Sequence, residues 1–342
     1  MKAVVFDRFG GPEVLELRER PKPAPRPGDV LVRVRACAIN HLDLWVRSGL
    51  RGLEPELPHV LGSDVVGEIA ELGEGVSQWR AGDRTLVLPT LSCGKCPACA
   101  AGDDNLCRDY DVLGRRRNGG YAEYVTVPAA NCLPYPDNLD WEHAAAIPLV
   151  YLTAWHMLVG RAAVREGEDV LVIGAGSGVG SAAIQVARLK GARVIATAGS
   201  AERLERARTL GAHETIDHSR EDLRGRVREL TSGKGVEVVF EHVGGRVFES
   251  AVGALARGGR LVTCGATIGG EVKLDLNLLF GRHLSLMGSW MGRRSELLEA
   301  LQFVREGKLA PVVDRVLPLE RAAEAHRVME AREHFGKIVL TP

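Results

Sequence analysis

Val170-Leu-Val-Ile-Gly174-Ala-Gly176-Ser177-Gly178-Val179-Gly180 sets a run of glycines between an apolar strand-like stretch and a segment whose apolar positions, Val179, Ala183, Val186 and Leu189, recur at helical spacing. Glycine in such a loop allows the tight turn, lets the backbone approach a pyrophosphate and lets helix pack on strand, while the helix N-terminus favours the anion. The helical pattern stops at Lys190-Gly191, a glycine in the usual C-terminal position. Glycines alone define a turn. With a strand before them and a helix after them they form a dinucleotide fingerprint. Gly174, Gly176, Ser177, Gly178, Val179 and Gly180 are therefore the expected cofactor contacts, and Val243 and Gly265 further along are counted with them.

Outward from this loop, apolar runs alternate with amphipathic stretches. Strand character at 169–173, 193–198, 214–217, 236–241 and 260–264 alternates with helical character at 179–190, 201–210, 221–230 and 247–256. That rhythm predicts a doubly wound parallel sheet. The tip of its second strand reports on the cofactor's ribose, where an NAD site usually places a carboxylate. Here the tip reads Ala198-Gly199-Ser200, with Arg203 in the following helical turn, where a guanidinium can clamp a 2′-phosphate. NADP is therefore favoured over NAD, with His218 expected on the same side. The competing reading makes Arg203 a solvated helix residue and Ser200 only a cap.

Upstream, to about residue 145, short β segments at 2–6, 29–38, 65–72, 84–88 and 121–127 are divided by glycine and proline, which suggests a small irregular β-barrel. After about 285 the rhythm gives way to helices near 296–305 and 320–332 and a closing strand at 337–340, expected to fold back on the first domain. The expected division is 1–148 with 286–342, and 149–285. A length of 342 residues suits two domains, each with its own core. Zero formal net charge gives no electrostatic footprint for nucleic acid or anionic membrane, and no apolar run is long enough to span a bilayer. Charges at Lys2, Asp7 and Arg8 interrupt any signal-peptide core, so a cytoplasmic protein acting on a small molecule is expected.

Four of the seven cysteines cluster. Cys93, Cys96, Cys99 and Cys107 are separated by two, two and seven residues, the spacing of a closed four-thiolate site within a lobe near 90–110. An iron–sulfur cluster and disulfides compete with zinc, but the tight spacing and the expected compartment favour one structural zinc.

Together these features resemble the medium-chain dehydrogenase/reductase superfamily, whose zinc-containing alcohol dehydrogenases and quinone oxidoreductases join a GroES-like catalytic domain to a Rossmann domain. The resemblance rests on Gly62-Ser-Asp64-Val-Val-Gly67-Glu, Gly82-Asp83-Arg84, the cysteine lobe, Gly119-Gly-Tyr-Ala-Glu-Tyr-Val, Ala144-Ala-Ala-Ile-Pro-Leu-Val-Tyr-Leu-Thr153-Ala-Trp and the glycine loop. It implies a GroES-like barrel, a Rossmann cofactor domain and a homodimer or homotetramer. Alcohol dehydrogenases of this family hold a catalytic zinc at positions that here read Asn40, Ser63 with Asp64, and Leu149, so that ligand set is lost. Asn40-His-Leu-Asp43-Leu-Trp45 is similar to the zinc-free quinone oxidoreductase branch. The resemblance implies Asn40, Asp43, Trp45 and Thr153 as catalytic or pocket residues, although Asn40 also suits the cap of a following helix. His41 and His59 with Asp64 are the remaining candidates for a second metal site. The expectation is an NADP-dependent quinone or enone reductase carrying structural zinc. Its rivals are an alcohol dehydrogenase with an altered site and a cofactor-binding protein without turnover.

Overall fold

The computed structural model describes residues 1–49, 52 and 55–342. It divides into two compact units, one of Met1–Leu149 with Arg293–Arg305 and Pro311–Pro342, the other of Val150–Gly292 with Glu306–Ala310.

The strands in chain order are β1 (Lys2–Val5), β2 (Glu16–Glu19), β3 (Asp29–Ala38), β4 (Asp64–Leu72), β5 (Arg84–Val87), β6 (Thr90–Leu91), β7 (Asp111–Val112), β8 (Tyr124–Pro128) and β9 (Cys132–Pro134). The second unit adds β10 (Asp169–Val172), β11 (Arg193–Ala198), β12 (Glu214–Asp217), β13 (Val236–Glu241), β14 (Leu255–Thr263) and β15 (Ser285–Gly288). The chain closes with β16 (Val313–Pro318) and β17 (Lys337–Thr341).

In the first unit a seven-stranded sheet runs β16-β17-β3-β4-β5-β9, with β8 also paired to β3. β3 is its spine. Val30, Val32 and Val34 point into the core with period two, while the other face passes from fully buried Leu31 to the more exposed Arg33 and Arg35. β17 pairs antiparallel with β3, Val339 against Ala38 and Leu340 against Cys37, so the C-terminal strand is laid into the core of the N-terminal domain. The strand expected at 121–127 begins only at Tyr124, and residues 119–122 lie outside it. They run as an irregular connection, Gly119 N to Val60 O (2.8 Å) and Tyr121 N to Leu61 O (2.9 Å), because Gly119 lies so close to Gly62 that a Cβ would stand 2.1 Å from the Gly62 carbonyl.

In the second unit six parallel strands run β12-β11-β10-β13-β14-β15, the order of a dinucleotide-binding sheet. Leu171, Ile195, Val239 and Leu261 are fully buried in its core. Removal of four such side chains from water contributes on the order of 6 to 12 kcal/mol before chain entropy is set against it. Helices Gly178–Leu189, Ala201–Thr209 and Leu223–Leu230 each start on a side-chain cap, Ser177, Ser200 and Asp222 respectively. The cap at Asp222 is why the third of these begins at 223 rather than at 221. β2, β6, β7, β9, β15 and β16 lie outside the expected strands because they are short or carry several charges. Among the described residues no helix is long and apolar enough to cross a membrane.

Candidate functional site

Asn40 lies two residues beyond the end of β3 and occupies the N-cap position of helix His41–Ser48. Its side chain does more than cap. Oδ1 accepts from Lys337 Nζ at 2.5 Å, and Nδ2 donates to Asp64 Oδ2 at 2.9 Å. Lys337, first residue of β17 and 3% exposed, also donates to Ile39 O (2.6 Å) and Asp64 Oδ2 (2.9 Å), so all three N–H groups of its ammonium are engaged. Asp64, fully buried at the start of β4, takes a further bond on Oδ1 from Leu149 N at 2.8 Å. A lysine that donates but cannot accept fixes the orientation of the Asn40 amide. The oxygen faces the ammonium, the nitrogen faces the carboxylate, and the second N–H has only Ala38 O at 3.5 Å.

Asp43, one turn into the helix and 1% exposed, ties this centre together. Its Oδ2 accepts from Asn40 N (2.7 Å) and Tyr121 Oη (3.1 Å), and its Oδ1 from Gly62 N (3.1 Å). Burial pushes its carboxyl up to about 6, against the lowering effect of the Asn40 N–H, Lys337 and Tyr121. Tyr121 Oη meets His326 Nε2 (3.2 Å), His326 Nδ1 meets Arg47 Nη1 (3.0 Å), and Arg47 Nη2 pairs with Glu330. Ser63, between Gly62 and Asp64, is fully buried, and its Oγ has no hydrogen-bond partner among the described residues.

Trp45 is half-buried with its ring 6.2 Å from that of His41. Thr153 belongs to the second unit, 4% exposed, with Oγ1 3.9 Å from Met291 Sδ. His59 does not approach Asp64 as a ligand: its Nε2 lies 3.0 Å from Gly114 O, and burial lowers its proton affinity. A catalytic zinc does not fit this centre. Asn40, Ser63 and Leu149 offer an amide, a hydroxyl and an alkyl group, and the one carboxylate among these positions already accepts from an ammonium and two N–H groups.

In the second unit the glycine loop has the shape a dinucleotide requires. Gly174 lies at φ +71°, and a Cβ there would stand 3.0 Å from His242 Nε2. A Cβ on Gly180 would stand 2.2 Å from Gly174 O. Ser177 Oγ accepts from Gly180 N (2.9 Å), donates to Gly174 O (2.9 Å) and lies 3.2 Å from His242 Nε2. A Cβ on Gly174 would also stand 3.7 Å from Val243 Cγ2, and one on Gly265 2.8 Å from the His242 carbonyl oxygen. At the tip of β11, Thr197 Oγ1 accepts from Gly174 N (3.2 Å) and lies 3.3 Å from His218 Nδ1, while His218 covers Gly199. Ser200 caps the next helix by accepting from Arg203 N. The loop, strand tip and Val243–Gly265 wall expected from sequence are thus parts of one sheet end. This site would hold a nicotinamide dinucleotide.

The four cysteine sulfurs lie within 4.8 Å of one another, the one group of three or more close metal-ligand side chains among the described residues. Cys96 and Cys99 Sγ are 3.5 Å apart, and Cys93 and Cys99 4.0 Å. Four thiolates tetrahedral about zinc at ~2.3 Å stand about 3.8 Å from one another, so the cluster fits that metal. Backbone N–H groups of Lys95 and Cys96 hold the Cys93 thiol down at about 6, and Cys107 Sγ receives the N–H groups of Cys93 and Asp109. Asp104 accepts from Arg294 N (3.1 Å), and Asp103 pairs with Arg293 (3.0 Å), which fastens the lobe to the start of helix Arg294–Arg305.

Sequence reasoning missed Lys337, Tyr121, His326, Arg47, His242 and Glu241. Lys337 had a signal, a charge at the mouth of the apolar run Ile338-Val-Leu340. Glu241 had one too, a carboxylate closing an apolar strand. It is fully buried and accepts from Val243 N and Gly244 N (both 2.6 Å) and from Thr263 Oγ1 (2.7 Å).

Comparison with known proteins agrees with this geometry. Residues 26–137 match the alcohol dehydrogenase GroES-like domain, and residues 178–306 match the zinc-binding dehydrogenase family. The chain is 33% identical to a quinone oxidoreductase of Sus scrofa over 99% of its own length and 97% of the relative's. It is 35% identical to an alcohol dehydrogenase of Geobacillus stearothermophilus over 99% of each. Among solved structures, an NAD-dependent alcohol dehydrogenase superposes with a TM-score of 0.97 at 52% identity over the whole of both chains. A crotonyl-CoA carboxylase/reductase in complex with NADP superposes at 0.93 and 26%, over 100% of this chain and 94% of the other. With both domains matched and full-length relatives above 30% identity, the chain belongs to the medium-chain dehydrogenase/reductase superfamily.

Proposed function

We propose that this oxidoreductase is an NADPH-dependent reductase of quinones or conjugated carbonyls that works without a catalytic metal. The observation that carries the reading is the Asp64 carboxylate, whose Oδ2 is taken by the Lys337 ammonium and the Asn40 amide and whose Oδ1 accepts the Leu149 N–H, so that the chain's own cation supplies the charge a metal would bring. Reduction of an enone adds hydride to the β-carbon and, through the resulting enolate, a proton from solvent; the substrate gains two electrons and the cofactor loses them. Bound in the second unit, the nicotinamide supplies the hydride.

The chain's own task is to stabilise negative charge on the substrate oxygen. Asn40 Nδ2 has an N–H without a strong acceptor, and Ser63 Oγ is a buried hydroxyl with none. Preorganised donors of this kind contribute most where water is excluded. A delocalised enolate or hydroquinone anion needs less help than the alkoxide of a simple alcohol, which in this family is met by a Lewis acid. The absence of a carboxylate at the tip of β11 and the histidine over Gly199 support NADPH over NADH.

A second reading has a specific observation behind it, the 52% identical structure described as an NAD-dependent alcohol dehydrogenase. A panel of quinones, enones and alcohols, each with both cofactors, separates the two. Oxidation of NADPH by a quinone or enone supports the first reading, and alcohol-dependent reduction of NAD with no quinone activity overturns it. Ser63→Ala sharpens the test: rate should fall at least tenfold with stability unchanged or raised, because the substitution removes an unsatisfied buried hydroxyl.

A further inference from the structure

Arg47, Tyr121 and His326 come from helix His41–Ser48, the 119–122 connection and helix Ala322–Glu330, three separate stretches of the first unit, yet they form one hydrogen-bonded line ending on Asp43. Its direction can be read. Arginine only donates, so His326 Nδ1 must accept. His326 is fully buried, and burial with the adjacent Arg47 charge pulls it down to about 3, so it is neutral and its single proton sits on Nε2. Nε2–H then donates to Tyr121 Oη, and the tyrosine proton is directed to Asp43 Oδ2. Each link leaves the next one choice.

The carboxylate at the end of this line holds both halves of the proposed site. Through Oδ2 it holds the backbone of Asn40, and through Oδ1 the Gly62 N–H that leads into Ser63 and Asp64. We infer that Tyr121 and His326 are positioning residues for the reaction, acting through the Asp43 carboxylate to keep Asn40 and the Gly62–Asp64 turn in register. The inference rests on the proposed site for where the consequence is felt, but not on which substrate is reduced.

Protonation of Asp43 would replace an acceptor by a hydroxyl among three donors, so the register should be lost as pH falls. Titratable or charged groups facing Asp43 are Asp64 from β4, Lys337 from β17, Cys37 from β3 and Tyr121, with His326 and Arg47 behind. Asp64 raises its proton affinity, while Lys337 and the tyrosine hydroxyl lower it. Without that hydroxyl the carboxyl should hold its proton to higher pH.

The test uses the zinc-loaded full-length protein labelled with 13C at aspartate carboxyls, with Asp43→Asn to assign the resonance. In Tyr121→Phe, which keeps the ring, the Asp43 titration should move up by about half to one unit. The acid limb of kcat/KM, measured with whichever substrate of the panel turns over, should move with it, and the plateau rate should return at high pH. His326→Leu should shift the limb in the same direction, and His326→Gln, which restores an N–H donor towards Tyr121, should move it back. An unmoved Asp43 resonance in Tyr121→Phe overturns the inference, as does a loss of rate equal at every pH. Failure of every substrate would count against the proposed function while the carboxyl titration still decides the positioning role.

Discussion

The first unit fixes positive charge at two places by opposite means. The lobe from Cys93 to Cys107 gathers four thiols that could hold a cation from outside, whereas the centre at Asn40 and Asp64 takes its cation from the chain itself, the ammonium of Lys337. The lobe is built from 15 consecutive residues and the centre from residues up to 297 apart. Local spacing is sufficient for the first. The second exists only once β17 has paired with β3.

The largest effect should follow loss of the lobe's metal. Removing zinc with a chelator, or Cys107→Ser, should unfold residues 90–110 and release Asp103 and Asp104 from the helix at Arg294, since structural zinc supplies on the order of 10 kcal/mol. Hydrogen exchange should localise the loss to the lobe, and elemental analysis should give one zinc per chain. Two zincs per chain would break the comparison by placing a metal where Lys337 stands. Next in size, Lys337→Met leaves Asp64 buried without its counter-charge and should destabilise the protein by about 3–5 kcal/mol in denaturant melts. Asp64→Asn in the same chain should recover part of that, and no recovery would mean that the pair is not coupled.

A smaller effect concerns pH. The Asp43 carboxyl is held near 6 in the folded protein against an ordinary value of 3.8, so the fold binds this proton more tightly than the unfolded chain does. Its stabilising contribution is full below about 4 and is lost as pH rises through 6, amounting to roughly 3 kcal/mol at one pKa unit per 1.4 kcal/mol. Relative to Asp43→Asn, the native protein should therefore lose stability between pH 4 and pH 7. A constant difference across that range would show that Asp43 is not strained by its burial.

The same contrast explains what the sequence made legible. The glycine loop, the alternation of the second unit and the cysteine spacing are all local, governed by turn chemistry, period and chelation over fewer than 20 residues, and each has its expected place in the structure. Asn40 and Asp43 were legible through resemblance, but their partners were not. Tyr121 reads as an ordinary core aromatic, His326 as one polar residue in an amphipathic helix, and Lys337 as the polar end of a strand. Nothing in their spacing announces that long-range pairing carries them to one carboxylate each. Ser63, set down at first as a lost ligand, emerges as a buried hydroxyl still lacking an acceptor.

β17 also fixes when, during synthesis, the centre at Asn40 and Asp64 can be completed. With the ribosome adding about 5–20 residues per second, His326 and Lys337 are made roughly 15 to 60 s after Asn40 and Asp43. For that interval the nascent barrel has two acidic side chains with no counterpart for Asp64 and no tyrosine–histidine brace for Asp43, so its centre must stay wet. A product that stopped before Lys337 would remain loosely packed around Asp64 and open to proteolysis. The pairing of β17 with β3 is thereby the condition for a dry, rigid interior around Asp64.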